Sequence, residues 1–225
     1  RSRTGRVALT TRLTRPEISQ ILLHCEARVL FVDTELVAGI EGIRDLVPSL
    51  TKVIEINDSV SGLAPSGSPT VTQTYDTYVP QQAPEPALPW EVEDEEGVIS
   101  INYTSGTTGT PKGVMYSHRG AYLASLGSVV HNQFTPDTKY LWTLPMCHCN
   151  GWCTAWAVTA AGGTQICLRA VEADAIWHAI DDLGTTHICG APAVCTTIAD
   201  APGAHPLDRP LRIGVVGLGA GTLAC

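Results

Sequence analysis

Residues 104–113 read Thr-Ser-Gly-Thr-Thr-Gly-Thr-Pro-Lys-Gly, and from Thr104 to Thr110 no side chain is larger than threonine. Glycines reach backbone angles that other residues avoid, and small side chains let N–H groups come close to an anion. The hydroxyls of Thr104, Ser105, Thr107 and Thr108 add donors. Gly106 and Gly109 free the backbone. Lys112 adds a point charge suited to phosphate, and Pro111 stiffens the exit. The chemistry is that of a polyphosphate cradle. It differs from the Gly-Lys-Ser/Thr loop that opens a helix, because "KGVMYS" at 112–117 continues as a strand. A Ser/Gly/Thr linker is the alternative, but linkers seldom separate two apolar strands.

A second cluster lies at 147–153, "CHCNGWC". Cys147, His148, Cys149 and Cys153 could hold zinc or an iron–sulfur centre. No second paired-ligand motif of the usual spacing accompanies them, so no metal ligands are assigned. His148 is the residue able to donate to developing charge; a structural histidine is the bland alternative.

These segments need a frame. Strand candidates are "VALTTRL" at 7–13, "ARVLFVD" ending at Asp33, "KVIEI" at 52–56, "VISINYT", "GVMYS", "YLWTLP", "TQICLR", "HICGA" and "LRIGVVG". Thr14 and Glu17 have capping-box spacing with Pro16 in the first turn. The helix they start places Ile18, Ile21, Leu22 and Cys25 on one face. Further helices are expected near 41–47, 119–132, 151–161, 172–183 and 192–200. In 172–183, Ala173, Ile176, Trp177, Ile180 and Leu183 keep helical spacing. Strands alternating with helices predict an α/β fold of mostly parallel sheets covered by helices. "ARVLFVD" reads as a strand buried on both faces. Residues 57–89 hold six prolines and no Lys or Arg, which predicts a long surface excursion. "EVEDEE" at 91–96 reads as a solvated acidic face.

The chain has 225 residues, enough for a substantial core. A net charge of −8 argues against a general nucleic-acid binder. No apolar run approaches the roughly 20 residues of a membrane span. Eight cysteines, several in apolar runs such as "TQICLRA" and "THICGAP", read as buried reduced thiols of a cytoplasmic protein.

"YTSGTTGTPKGVMYSHRG" resembles the phosphate-loop signature of the AMP-binding, adenylate-forming enzymes. "LWTLPMCHCNGWCTAWAVTAAGGTQICLR" resembles the fatty-acyl-CoA ligase segment that carries an aromatic-His pair before Asn-Gly. Cys147 stands where the family usually has the aromatic residue. The resemblance extends from "TRLTRPEISQILLHCEARVLFVD" to "THICGAPAVCTTIADAPGA", about residue 212. It implies part of the large N-terminal domain of an adenylate-forming enzyme, residues 1–212. It implies activation of a fatty or related carboxylic acid by ATP to acyl-AMP, then transfer to coenzyme A. By the match, Thr104, Ser105, Gly106, Thr107, Thr108, Gly109 and Lys112 would contact the phosphates, with Mg²⁺ bridging them. His148 and Lys112 would be catalytic, and His148, Gly151 and Trp152 would meet the acyl substrate. Trp142 would shape the acyl pocket or fill the core.

The family's later Tyr-Gly-x-Thr-Glu segment, its ribose-binding Asp and its mobile C-terminal domain are not in this sequence. The expectation is therefore a fragment that does not complete the reaction alone. A non-catalytic nucleotide-binding remnant is the alternative. The Gly-rich tail 213–225, "GVVGLGAGTLAC" after Ile213, departs from the family's turn. It resembles the first motif of spermidine-synthase-like methyltransferases, and a chimera is a further alternative.

Overall fold

The computed structural model describes residues 5–81, 92–104 and 111–215, without the Cys149 side chain. It divides into two compact units, one holding residues 9–81 and the other residues 5–8, 92–104 and 112–215. Strand β1 (Arg6–Val7) has two residues. The expected strand to residue 13 stops early because the chain turns: Leu13 N–H reaches Thr10 O at 3.4 Å.

In the first unit, helix α1 (Arg15–His24) starts as its sequence predicts. Thr14 N–H and Thr14 Oγ1 both donate to Glu17 Oε2 at 2.7 Å. Ile21 and Leu22 are buried. Strand β2 (Val29–Asp33) is followed by a 3-10 helix (Thr34–Ile40) and α2 (Ile43–Leu46). Strand β3 (Lys52–Ile56) lies parallel to β2 on one side and to β4 (Gln73–Thr74) on the other. The core joins Leu22 and Val32 to Val37, Ile40, Ile43, Val47, Leu50 and Val53.

Two expectations are corrected here. β2 is parallel but not buried on both faces. Leu30 and Val32 meet the core, while Phe31 on the other face is 47% exposed. On that face Phe31 meets Tyr75 and Tyr78 of α3 (Tyr75–Tyr78), edge-on at 6.3 and 6.0 Å. Within the expected excursion 57–89, β4 extends the sheet, and residues 82–89 lie outside the described residues. Buried Glu55 ties the preceding loop down: Oε1 accepts from Thr34 Oγ1 and Ser66 N–H, both at 2.8 Å, and Oε2 from Ser66 Oγ at 3.1 Å.

The second unit holds two sheets. One has the order β1, β5 (Val98–Thr104), β6 (Lys112–Ser117), with β1 parallel and β6 antiparallel to β5. Helix α4 (His118–Asn132) follows, capped by Ser117 Oγ accepting from Gly120 N–H at 3.1 Å. Next come β7 (Lys139–Leu141), α5 (Cys149–Trp152), α6 (Thr154–Ala160), β8 (Thr164–Ile166), α7 (Ala173–Asp181), β9 (His187–Gly190), α8 (Pro192–Ala199) and β10 (Arg212–Val215). These strands form a parallel sheet of order β10-β9-β7-β8.

The period-2 pleat sends alternate residues of this sheet to opposite layers. Tyr140, Trp142 and Cys189 pack with Ala157 and Val158 of α6. Leu141 and Ile188 pack with Ile176 and Ile180 of α7 and Ile198 of α8. Both faces are covered, as a parallel sheet requires. Leu183 is exposed because α7 ends at Asp181, and Cys167 is exposed because β8 ends at Ile166. Among the described side chains Cys153 and Cys189 are buried, and Cys25, Cys147 and Cys195 are half-buried.

Candidate active site

β5 and β6 form an antiparallel hairpin whose register sets Thr104 opposite Lys112. Both side chains are exposed. Two predicted phosphate contacts therefore flank the ends of the same ladder rung. Among the described residues the Lys112 ammonium has no carboxylate partner. Ser105, Gly106, Thr107, Thr108 and Gly109 lie outside the described residues.

The buried face of β5 is its polar one. Ser100 and Asn102 are 0% and 4% exposed, while Ile99, Ile101 and Tyr103 are only half-buried. The Ser100 hydroxyl lies 3.0 Å from Arg6 O and 3.1 Å from Asn150 Oδ1. That second bond joins the hairpin strand to the segment that carries His148.

His148 is exposed and its backbone is held from both sides. Its N–H donates to Pro145 O at 3.1 Å, and its carbonyl accepts from Gly151 N–H at 2.8 Å. The expected helix at 151–161 is interrupted here. Asn150, Gly151, Trp152 and Cys153 have φ of 46°, 60°, 61° and 59°, four consecutive residues in the left-handed region. L-residues with a Cβ pay about 1–2 kcal/mol each for this conformation. Right-handed helix resumes at Thr154, whose hydroxyl donates to Gly151 O at 2.6 Å and shares a 3.2 Å hydrogen bond with the Tyr140 hydroxyl.

Gly151 is required twice over. Its φ is left-handed, and a Cβ there would sit 2.3 Å from Trp142 Cζ3. Trp142 is a buried core residue whose Nε1–H donates to Gln165 Oε1 at 2.9 Å. Trp152 is half-buried, and Ser128 Oγ donates to its carbonyl at 3.4 Å. Burial pushes the Tyr140 phenol upward, with the nearby Cys189 adding to the shift, so the phenol stays protonated as a donor.

Among the described residues no three His, Cys, Asp or Glu side chains are placed to hold a metal. A cavity of about 580 Å³ between α7, α8 and the 204–213 segment, lined by Trp177, Ile198, His205 and Leu207, shares no residue with the predicted site. Sequence reasoning passed over Ser100, Asn102 and Asn150. The Asn-Gly pair at 150–151 is a turn signal and could have marked Asn150.

The model of the AMP-binding enzyme family matches residues 6–223. The chain belongs to that family. Among curated members, the peroxisomal butyrate–CoA ligase AAE11 of Arabidopsis thaliana is 40% identical over 194 residues, 83% of this chain and 33% of that protein. The chain thus spans about a third of the length of that AMP-binding relative. ATP-bound MatB from Rhodopseudomonas palustris superposes with a TM-score of 0.68 at 26% identity, over 88% of this chain and 36% of MatB. The inhibitor-bound N-terminal domain of FACL13 from Mycobacterium tuberculosis gives 0.65 at 26% identity, over 93% of this chain and 49% of that domain. The α/β architecture is that of the N-terminal domains of adenylate-forming enzymes. Among the described residues no helix is long and apolar enough to cross a membrane.

Proposed function

We propose that the chain is the phosphate-binding part of an acid–thiol ligase that activates a fatty or related carboxylic acid. The acid's carboxylate oxygen bonds to the α-phosphorus of ATP and pyrophosphate leaves. The thiol sulfur of coenzyme A then bonds to the acyl carbon, AMP leaves, and the thiol proton is released. The observation that carries this reading is the register that puts Thr104 and Lys112 on one rung, at the two ends of the matched loop.

In this reading Thr104, Ser105, Gly106, Thr107, Thr108 and Gly109 donate to the β- and γ-phosphates. Lys112, with no carboxylate partner among the described residues, neutralises their charge. The hydroxyls, N–H groups and Lys112 of this segment suit the anion, so Mg²⁺ would enter with the phosphates rather than on protein ligands of the hairpin. It would lower the charge of the bound triphosphate. His148 is exposed on a pinned backbone and faces the acyl carboxylate, steadying charge there. Gly151 and Trp152 shape the wall beside it. Among the described residues Cys25, Cys147, Cys167, Cys189 and Cys195 are not disulfide-bonded, which suits a reducing compartment such as the cytoplasm.

Calorimetric titration with ATP·Mg²⁺ tests the reading. Lys112→Ala removes one charge-assisted contact, about 1.5–3 kcal/mol, and should weaken binding roughly 10- to 100-fold. Folded wild type that binds no ATP·Mg²⁺, or a Lys112→Ala variant of unchanged affinity, overturns it. Acid-dependent exchange of pyrophosphate into ATP, measured after a full C-terminal domain has been joined to the chain, separates a ligase from a nucleotide-binding remnant.

A further inference from the structure

Strand β5 buries a hydroxyl and an amide, Ser100 and Asn102, instead of its isoleucines, and the amide is not paired. Asn102 Nδ2, Asn102 Oδ1 and Asn150 Nδ2 are fully buried without a hydrogen-bond partner among the described residues. The count survives turning the Asn150 amide over. A serine hydroxyl has one proton. If it donates to Arg6 O, the Asn150 atom beside it is the amide nitrogen and the amide oxygen becomes the unpaired one. Either way Asn150 keeps one buried unpaired atom and Asn102 keeps two.

Ser100 and Asn102 share one face of β5, and the Ser100 hydroxyl shows that this face meets Asn150. Residues i and i+2 of a strand stand about 6.7 Å apart. One water with bonds of about 2.8 Å spans roughly 5.6 Å between partners. A buried water typically makes about three hydrogen bonds, the number of unpaired groups here.

We propose that Asn102 and Asn150 hold a buried water that ties β5 to the left-handed turn at 150–153, and that both asparagines are positioning residues for His148. The tie connects the strand running into the phosphate loop with the turn whose Gly151 N–H holds the His148 carbonyl. Placement of His148 then depends on the same strand that ends at Thr104. The role given to His148 rests on the function proposed above; the water and the coupling do not.

The test is NMR on the 225-residue chain, labelled at Asn and His. The expected result is cross-peaks from the Asn102 and Asn150 side-chain amides to a long-lived water. Asn102→Leu should abolish the Asn150 cross-peak. Asn150→Gly keeps the left-handed backbone easy but removes the amide, and should shift the His148 ring resonance while the chain stays folded by circular dichroism. Asn102→Leu should shift the same resonance, which serves if Asn150→Gly fails to fold. Absence of water cross-peaks in wild type overturns the proposal. So does a His148 resonance unmoved in a folded variant. ATP·Mg²⁺ titration of the same samples judges the nucleotide reading separately, since a chain that binds no nucleotide can still show the water and the coupling.

Discussion

Gly151→Ala adds one methyl group at the point where the left-handed turn passes beneath Trp142. The new Cβ would lie 2.3 Å from Trp142 Cζ3 and 2.9 Å from Cη2. Carbon atoms prefer about 3.5–4.0 Å, so something must move by more than 1 Å. The indole is poorly placed to yield. Its Nε1–H is bonded to Gln165, and Tyr140 packs edge-on at 5.2 Å. Overpacking a core costs about 1–3 kcal/mol. Holding an alanine at φ 60° costs about 1–2 kcal/mol more. The expected loss is therefore about 2–5 kcal/mol, which lowers Tm by about 2–4 °C for each kcal/mol in a protein of this size.

Denaturant unfolding followed by tryptophan fluorescence is the assay, because Trp142, Trp152, Trp156 and Trp177 all report on the unit that contains the turn. Pairing the change with Trp142→Phe separates the two causes. The smaller ring removes the clash and leaves the backbone penalty, so the double variant should recover about 1–3 kcal/mol relative to additivity. A Gly151→Ala loss below about 0.5 kcal/mol would refute the steric argument, and so would strict additivity of the two changes.

Two further outcomes follow from buried polar groups. His187 is held neutral on β9, with Nε2–H donating to Asn132 O at 3.1 Å and Nδ1 accepting from Thr186 Oγ1 at 2.8 Å. Burial, and secondarily the Arg212 charge, lower its pKa below the usual 6.5. Below that value the unfolded chain takes a proton that the folded chain refuses, so stability falls as pH drops from about 7 toward the depressed pKa, by at most about 1.4 kcal/mol per pH unit. Thermal melts of His187→Gln across pH 5–8 should show a flatter slope than wild type. Glu55→Ala strands the donors of Thr34 and Ser66, and should destabilise the first unit by about 2–3 kcal/mol. Hydrogen exchange should then quicken first at 57–66.

The sequence carried the frame because its signals are local. The Thr14–Glu17 box, the β3 run and the strand-to-strand passage through the Gly/Thr loop each need only their own neighbours to be read. What escaped needed a partner from elsewhere. Phe31 looks buried in an apolar run, but the short helix α3 on its side of β2 leaves it 47% exposed. The helix expected from 151 starts only at Thr154, after four left-handed residues, and Asn150 at the head of that run is bonded to Ser100, fifty residues earlier. Cys167 looks like a core thiol until β8 ends one residue before it.

The inverted face of β5 yields the last prediction. A strand that alternates Ile99, Ile101 and Tyr103 with Ser100 and Asn102 would normally bury the isoleucines. Burying Asn102 instead costs free energy wherever its amide lacks a full set of partners. Asn102 has two buried atoms that no described protein group meets, so removing them recovers desolvation cost, while Asn150 loses one water-mediated bond. Asn102→Leu should therefore leave Tm unchanged or raise it, although it places a large aliphatic group inside the protein. If β5 were tuned for stability alone, leucine would serve better there. A loss of more than about 2 kcal/mol, which is about 4–8 °C in Tm at this size, would mean that Asn102 already has its full set of bonds and packs as an ordinary core residue. A Tm that holds or rises, with the His148 resonance displaced, would show the strand giving up stability to keep its link to the turn.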